Sequence, residues 1–312
     1  MLRALLKIVL GIIATLVLLV VAGNMFFPEH LAQFAAAAER GAAGLERKEI
    51  NAAGFHVVYL DGGQGDPLVL VHGFGADKDN WTRVSKYLTP HYRVIAPDLP
   101  GFGESSKPQD AHYSIKDQVR NLHAIIQALG LKKVSLGGSS MGGHIVGMYA
   151  ATYPDEVATL WLVAPAGVAT ADLSELGERI KAGGANPLLA RNPEDFDGII
   201  HFVMTDPPYI PGSIKKVLAR RAAANYELHA RIFQELIAGT DALEPLVTSL
   251  PTPTKILWGD HDRALSVTGA KILGGLMPKS SVTIMPGIGH LPMIEQPRKS
   301  AEDYLAFRAS VQ

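Results

Sequence analysis

Ser140 stands in the run Gly138-Ser-Ser140-Met-Gly142, a G-x-S-x-G pattern. A serine hydroxyl is a weak nucleophile until a neighbouring base takes its proton. The pattern therefore matters only if the chain isolates that serine and supplies a base. Residues 134–136 read as a strand and 142–153 as a helix, which puts Ser140 on the turn between them. A tight strand-to-helix turn strains the serine backbone and tolerates only small residues beside it. Gly137, Gly138, Gly142 and Gly143 meet that demand. An ordinary glycine-rich turn is the competing reading, to be weighed against the partners downstream.

In this geometry the acid and then the base follow the serine in chain order. The histidines after Ser140 are His144, His201, His229, His261 and His290. His144 lies one turn into the helix and reads as a packed or surface residue, and His201 and His229 fall in a region without strands. His290 sits in Gly287-Ile-Gly-His-Leu-Pro292, a loop after the last strand, from which an imidazole can reach Ser140. The acid is sought after the strand at 256–258, where Gly259-Asp260-His-Asp262 offers two carboxylates. Asp262, further into the loop, is the expected partner of His290, fixing its tautomer and stabilising its imidazolium. Asp260 reads as turn support. A tetrahedral intermediate also needs two aimed N–H donors. Met141, directly after the nucleophile, offers one. The loop His72-Gly-Phe-Gly75, after a strand at 68–71, offers the other from Phe74, with Gly73 and Gly75 letting its backbone come close. His72 reads as a holder of that loop by hydrogen bonds.

Other chemistries find no support. No Lys follows the glycine-rich turn at the spacing of a phosphate loop, and no His pair has the H-e-x-x-H spacing of a metal site. The chain has no Cys, which excludes thiolate ligands, disulfides and a Cys nucleophile. With 29 Lys plus Arg against 30 Asp plus Glu the net charge is −1, unlike the basic excess of a nucleic-acid binder. No metal and no cofactor is expected.

The elements that must position these residues alternate. Strands are expected at 55–59, 68–71, 92–96, 134–136, 159–163, 255–258 and 282–284, with helices at 115–129 and 142–153. Short continuous apolar runs such as Leu68-Val-Leu-Val71 suit strands buried on both faces. The alternation predicts a mostly parallel sheet with helices on both faces. Residues 168–250 interrupt it with helical patches at 215–221 and 226–238 and no strong strand. They read as a helical insertion capping the carboxyl ends of the strands, where open sheets of this kind bind ligands. Its apolar residues Phe196, Phe202, Met204, Tyr209 and Ile210 either wall an acyl pocket or only pack the cap.

The amino terminus is different in kind. Arg3 and Lys7 precede residues 8–23, which carry no charge, and Met25-Phe-Phe27 prolongs the run. Twenty residues of helix match a hydrocarbon core of about 30 Å. Two readings compete: an uncleaved transmembrane anchor, and a signal peptide cut near Val20-Val-Ala22. The length of the run favours the anchor. Basic residues before the span and Glu29-His30 after it place the N-terminus in the cytoplasm and the body across the membrane. An Ala-rich stretch at 31–43 reads as a short juxtamembrane helix or stalk.

Five motifs, His72-Gly-Phe-Gly75, Asp98-Leu-Pro-Gly-Phe-Gly-Glu-Ser105, Gly138-Ser-Ser-Met-Gly142, Trp258-Gly-Asp-His-Asp262 and Gly289-His290, together resemble the α/β-hydrolase superfamily, in its order, over roughly residues 55–310. Asp79-Asn-Trp81, Gly103-Glu-Ser-Ser-Lys-Pro108, Pro207-Pro-Tyr209 and His290-Leu-Pro-Met293 resemble a group of bacterial lipases and esterases, including membrane-anchored members that act as phospholipase A. The resemblance implies a triad of Ser140, Asp262 and His290 with Phe74 and Met141 as the oxyanion donors. The middle residue of Asp98-Leu-Pro100 departs from many relatives, at a position with no catalytic part. Epoxide hydrolases and haloalkane dehalogenases share this fold but use a carboxylate nucleophile, and Ser140 stands in its place here.

The expected fold class is α/β: an α/β-hydrolase fold with a mostly parallel central sheet flanked by helices, an inserted helical cap and an N-terminal transmembrane helix. The expected parts are the anchor (1–27), a juxtamembrane stalk (28–50), the core (51–167 and 251–312) and the cap (168–250). The expected function is ester hydrolysis through an acyl-enzyme. A tether confines the site near the bilayer and raises the effective concentration of lipid, so phospholipid or acylglycerol is favoured over soluble esters. The expected location is a bacterial inner membrane, single-pass, with the catalytic part in the periplasm, or a periplasmic or secreted form if the segment is cleaved. Hydrolysis of small soluble esters, hydrolysis of carbon–carbon bonds, and a non-catalytic binding protein of the same fold stay open, as does pairing with a second copy through the span and stalk.

Overall fold

The computed structural model describes residue 3, residues 5–11, residue 15, residues 27–239 and residues 241–311. The expected anchor at 1–27 therefore lies mostly outside the described residues. Its described part is helical at 3, 5–11 and 15, and among the described residues no helix is long and apolar enough to cross a membrane.

Eight strands form one sheet: β1 (Leu45–Ala52), β2 (Phe55–Gly62), β3 (Pro67–Val71), β4 (Arg93–Pro97), β5 (Val134–Ser139), β6 (Val157–Val163), β7 (Thr254–Gly259) and β8 (Ser280–Met285). Their order is β1-β2-β4-β3-β5-β6-β7-β8. The first two strands pair antiparallel and β2 meets β4 antiparallel, while every pairing from β4 to β8 is parallel. Alternate residues of the parallel strands enter opposite cores. Val69, Leu136, Leu160, Leu162 and Ile256 join one, with the helices Ile115–Ala128 and Met141–Thr152. Leu68, Leu70, Trp161, Val163 and Leu257 join the other, with Tyr304 and Phe307 of the helix Pro297–Ser310.

The stalk expected at 28–50 divides at residue 44. Pro28–Ala42 is a helix that opens with Pro at its first turn, a position where the missing N–H costs nothing. It lies against the globule: Arg40 Nε donates to Asp79 at 2.6 Å, and Glu29 pairs with Arg220 and Arg221 at 2.8 and 2.9 Å. The rest is β1, part of the sheet rather than of a stalk. Its charged Glu46-Arg-Lys-Glu49 is exposed on an edge strand, where charge blocks pairing with other chains.

Five helices, Glu175–Lys181, Asp195–Val203, Gly212–Ala224, Tyr226–Ala238 and Leu243–Val247, lie between β6 and β7, with no strand among the described residues there. In a parallel sheet the loops after β3, β5, β7 and β8 leave from the same edge. That single fact assembles segments from residues 72, 140, 262 and 290.

Candidate active site

The turn at Ser140 is strained as its glycines require. Ser140 has φ 56° and ψ −120°, a left-handed backbone unusual for a non-glycine residue. Main-chain bonds over-determine it: Ser140 N–H donates to Val163 O at 3.0 Å, and its carbonyl accepts from His144 N at 3.1 Å and Ala166 N at 2.9 Å. The neighbouring glycines are steric necessities. A Cβ on Gly142 would stand 2.2 Å from Val71 O, one on Gly138 2.2 Å from Gly142 O, and one on Gly143 2.7 Å from Pro165 Cβ. These contacts let the helix Met141–Thr152 start against the end of β3.

The loop after β3 therefore meets the serine directly. A Cβ on Gly73 would lie 3.1 Å from Ser140 Cβ and 3.8 Å from its Oγ. Gly75 takes φ +69°, the left-handed conformation open to glycine. Phe74 N–H and Met141 N–H donate to no acceptor outside their own elements among the described residues, and the first residue of a helix has no intrahelical acceptor for its N–H. Among the described residues neither donor is engaged, and each directly follows one of the two residues, Gly73 and Ser140, that meet here. His72 is fully buried: its Nδ1–H donates to Gly73 O at 2.8 Å and its Nε2 accepts from Leu99 N–H at 3.1 Å. Burial holds its pKa below the ordinary imidazole value, so it is a neutral brace.

Asp262 and His290 are brought together. His290 Nδ1 lies 2.7 Å from Asp262 Oδ2, and the Asp262 side chain is fully enclosed. The same oxygen accepts from Trp258 Nε1–H at 2.9 Å, and Oδ1 accepts from the N–H groups of Ala264 at 2.8 Å and Leu265 at 2.9 Å. Four donors fix the direction of the carboxylate, and because its oxygen accepts from the ring the His290 proton sits on Nδ1 and Nε2 is left to accept. Among the described residues no hydrogen bond joins the Ser140 hydroxyl to His290. Such contacts commonly tighten only when substrate fills the site. Asp260 accepts from Gly287 N–H at 2.6 Å and so pins the start of the His290 loop. Gly259 allows that loop to close: a Cβ there would stand 2.2 Å from both Ile288 O and Gly289 O.

The other histidines are placed elsewhere. His144 Nε2 donates to Asp241 O at 2.7 Å, tying the elbow helix to the cap. His201 and His261 have exposed side chains. His229 is buried against Phe74 and Phe102, with ring centroids 5.8 and 5.2 Å away, and burial lowers its pKa to about 4. Of the apolar cap residues, Phe202 and Met204 are buried, whereas Tyr209 is 85% exposed and walls nothing. Phe202 and Met204 also line an open groove of about 530 Å³ shared with His201, Thr205, Asp260, His261, Asp262 and Arg263.

Three supports have roles that the sequence does not assign. Trp258 donates its indole N–H to the acid. Lys78, buried four residues after Phe74, donates to Asp98 at 2.8 Å and to Glu104 at 2.6 Å. Glu295 accepts from the N–H groups of Gly289, Thr205 and Asp206, each at 2.9 Å, although burial keeps its pKa above the ordinary carboxylate value.

Comparison with known proteins agrees with this architecture. The family described as alpha/beta hydrolase fold matches residues 66–297. Lipase 1 of Psychrobacter immobilis is 40% identical over 278 residues, covering 87% of this chain and 86% of that protein. The human (Homo sapiens) monoacylglycerol lipase ABHD6 is 30% identical over 259 residues, covering 80% and 77%. A crystal structure of a membrane phospholipase A, described as a bacterial virulence factor, superimposes with a TM-score of 0.90 at 42% identity, covering 98% of each chain. The chain belongs to the α/β-hydrolase family and, within it, is a carboxylic ester hydrolase.

Proposed function

We propose that this chain is a membrane-tethered lipase or phospholipase A that works through an acyl-enzyme on Ser140. The observation that carries the mechanism is the enclosed Asp262 carboxylate, with His290 Nδ1 at 2.7 Å. It leaves Nε2 available as the base for Ser140. Ser140 Oγ attacks the ester carbonyl carbon while His290 Nε2 takes its proton. The carbonyl oxygen becomes an oxyanion and accepts from the free N–H groups of Phe74 and Met141. Collapse breaks the bond to the alcohol, which leaves with the proton from His290. Water then adds to the acyl carbon, giving its proton to His290, and the fatty acid leaves as Ser140 is restored. No metal or cofactor enters these steps.

Lipid esters are the proposed substrates because a lipase and a membrane phospholipase A are similar over most of the chain. The uncharged residues 8–23 supply the proposed tether, with Arg3 and Lys7 on the cytoplasmic side and the catalytic part in the periplasm. The test is mass spectrometry of lipids released from membranes of cells expressing wild type or Ser140→Ala, with fractionation of the protein. Wild type is expected in the membrane fraction, liberating fatty acid at least about 10³-fold faster than Ser140→Ala. Undiminished release by Ser140→Ala would overturn the nucleophile, turnover of short soluble esters alone would overturn the lipid substrate, and a soluble protein would overturn the tether.

A further inference from the structure

Glu295 ends the short helix Pro292–Glu295, five residues after His290. Its two oxygens serve two different parts of the molecule. Oε1 accepts from Gly289 N–H at 2.9 Å, in the loop that carries His290. Oε2 accepts from Thr205 N–H and Asp206 N–H, each at 2.9 Å, in the cap turn that follows the helix Asp195–Val203. The next amide of the loop, His290 N–H, donates to Val203 O at 2.8 Å, on the same stretch of cap. Two consecutive peptide units are thereby held, one through a carboxylate and one directly, against residues some eighty positions away in the chain. The approach is close enough to need glycine at 289. A Cβ there would stand 2.9 Å from Thr205 N, 3.0 Å from Met204 Cα and 3.0 Å from Glu295 Oε1.

The other end of the histidine is held by Asp262. The ring is thus gripped at Nδ1, and its main chain is gripped by Glu295 and the cap. Where Nε2 lies relative to Ser140 depends on both grips, and a misplacement of about 1 Å at a reacting atom costs on the order of 10² in rate. Gly289 is buried, so its N–H would have no ready replacement acceptor if the carboxylate were removed.

We infer that Glu295 is a positioning residue for the hydrolysis, joining the cap turn at 205–206 to the loop that carries His290 so that the imidazole stands at the right distance from Ser140. The inference rests on the Ser140–His290 mechanism proposed above. It couples the segment between β6 and β7 to the base, because displacement of the turn at 205–206 pulls on the His290 loop through the Glu295 carboxylate. The exposed Tyr209 lies only a few residues beyond that turn.

The test uses the full chain as Glu295→Ala and Glu295→Gln, with Ser140→Ala in parallel. The readouts are kcat and KM on p-nitrophenyl butyrate, the rate at which a fluorophosphonate labels Ser140, and thermal melting. Glu295→Ala is expected to lower kcat by about 10- to 100-fold with KM within about twofold, and to slow labelling by the same factor. Glu295→Gln keeps one acceptor oxygen and is expected to fall between Ala and wild type. A variant that melts cooperatively yet keeps kcat within twofold of wild type overturns the inference, as does a rise in KM with kcat unchanged. If the Ala variant does not fold, the Gln variant decides by the same criterion. Full activity in Ser140→Ala would instead overturn the mechanism, whereas an inactive Ser140→Ala beside fully active Glu295 variants overturns only the role of Glu295.

Discussion

The proposed nucleophile, Ser140, and the proposed base, His290, stand on unlike supports. Ser140 is held by main-chain bonds to β6 and the segment after it, and by glycines that let backbone touch backbone. His290 is held largely by side-chain carboxylates: Asp262 at its ring, Asp260 at Gly287 and Glu295 at Gly289. The first support is steric and part of the sheet. The second is polar and reaches out of the sheet into the cap. Substitution on the serine side should therefore damage the fold itself, and substitution on the histidine side should damage rate more than folding.

The largest expected effect tests the steric support. Gly142→Ala drives a Cβ to within 2.2 Å of Val71 O and 2.5 Å of His72 O. Neither backbone atom can retreat without disturbing the β3 end of the sheet, so a loss of about 3 kcal/mol is expected, at the upper end for overpacking, read as failure to fold or a large fall in denaturant midpoint. A normal melting curve would show that the elbow has slack.

An intermediate effect tests the polar support. Trp258→Phe removes the indole N–H that donates to Asp262 at 2.9 Å and leaves the other three donors in place. A hydrogen bond to a charged group contributes about 1.5–3 kcal/mol. A fall in kcat/KM of about 10- to 100-fold is expected, with the variant still folded. Unchanged kcat/KM would place Trp258 in packing alone.

The smallest expected effect asks whether the serine side has a polar prop of its own. Burial opposes the charge on Glu104, but Lys78 and then Arg47 outweigh it and hold its pKa down at about 2, below the ordinary 4.5. A depressed carboxylate adds stability that is present above the unfolded pKa and disappears as pH falls through the folded value. The melting temperature of wild type should thus exceed that of Glu104→Gln at pH 6, and the gap should close between about pH 4.5 and pH 2. A gap that is independent of pH would show that the Lys78 cluster does not brace the Phe74 loop electrostatically.

Much of this was legible from residues close together in the chain. The elbow glycines follow from steric limits within a few residues of Ser140, and the parallel strands announce themselves as apolar runs bounded by turns. β1 escaped that reading because Glu46, Arg47, Lys48 and Glu49 mask any alternation on an edge strand. Hydropathy groups Tyr209 with residues that wall a pocket or pack the cap, but it says nothing about which way a loop side chain turns, and Tyr209 faces solvent. The roles of Trp258, Lys78 and Glu295 are not readable from the sequence, although Trp258 opens the motif Trp258-Gly-Asp-His-Asp262. A tryptophan reads as core, a lysine among aspartates reads as surface, and a glutamate that binds backbone N–H groups leaves no complementary residue to search for.

The sequence by itself determined the parts: a serine on a glycine-lined turn, an acid and a histidine in later loops, a sheet to carry them, an inserted cap and an apolar amino terminus. Those follow from local sterics and from the periodicity of burial, which act between near neighbours. Only the tertiary structure decided which groups meet. Asp262 and His290 close on each other because β7 and β8 are parallel neighbours whose loops leave the same edge. Glu295 reaches residue 205 because the turn after the helix Asp195–Val203 packs against the loop that follows β8. Hydrogen bonds between segments distant in sequence depend on direction and distance in space, and neither is written in residue order.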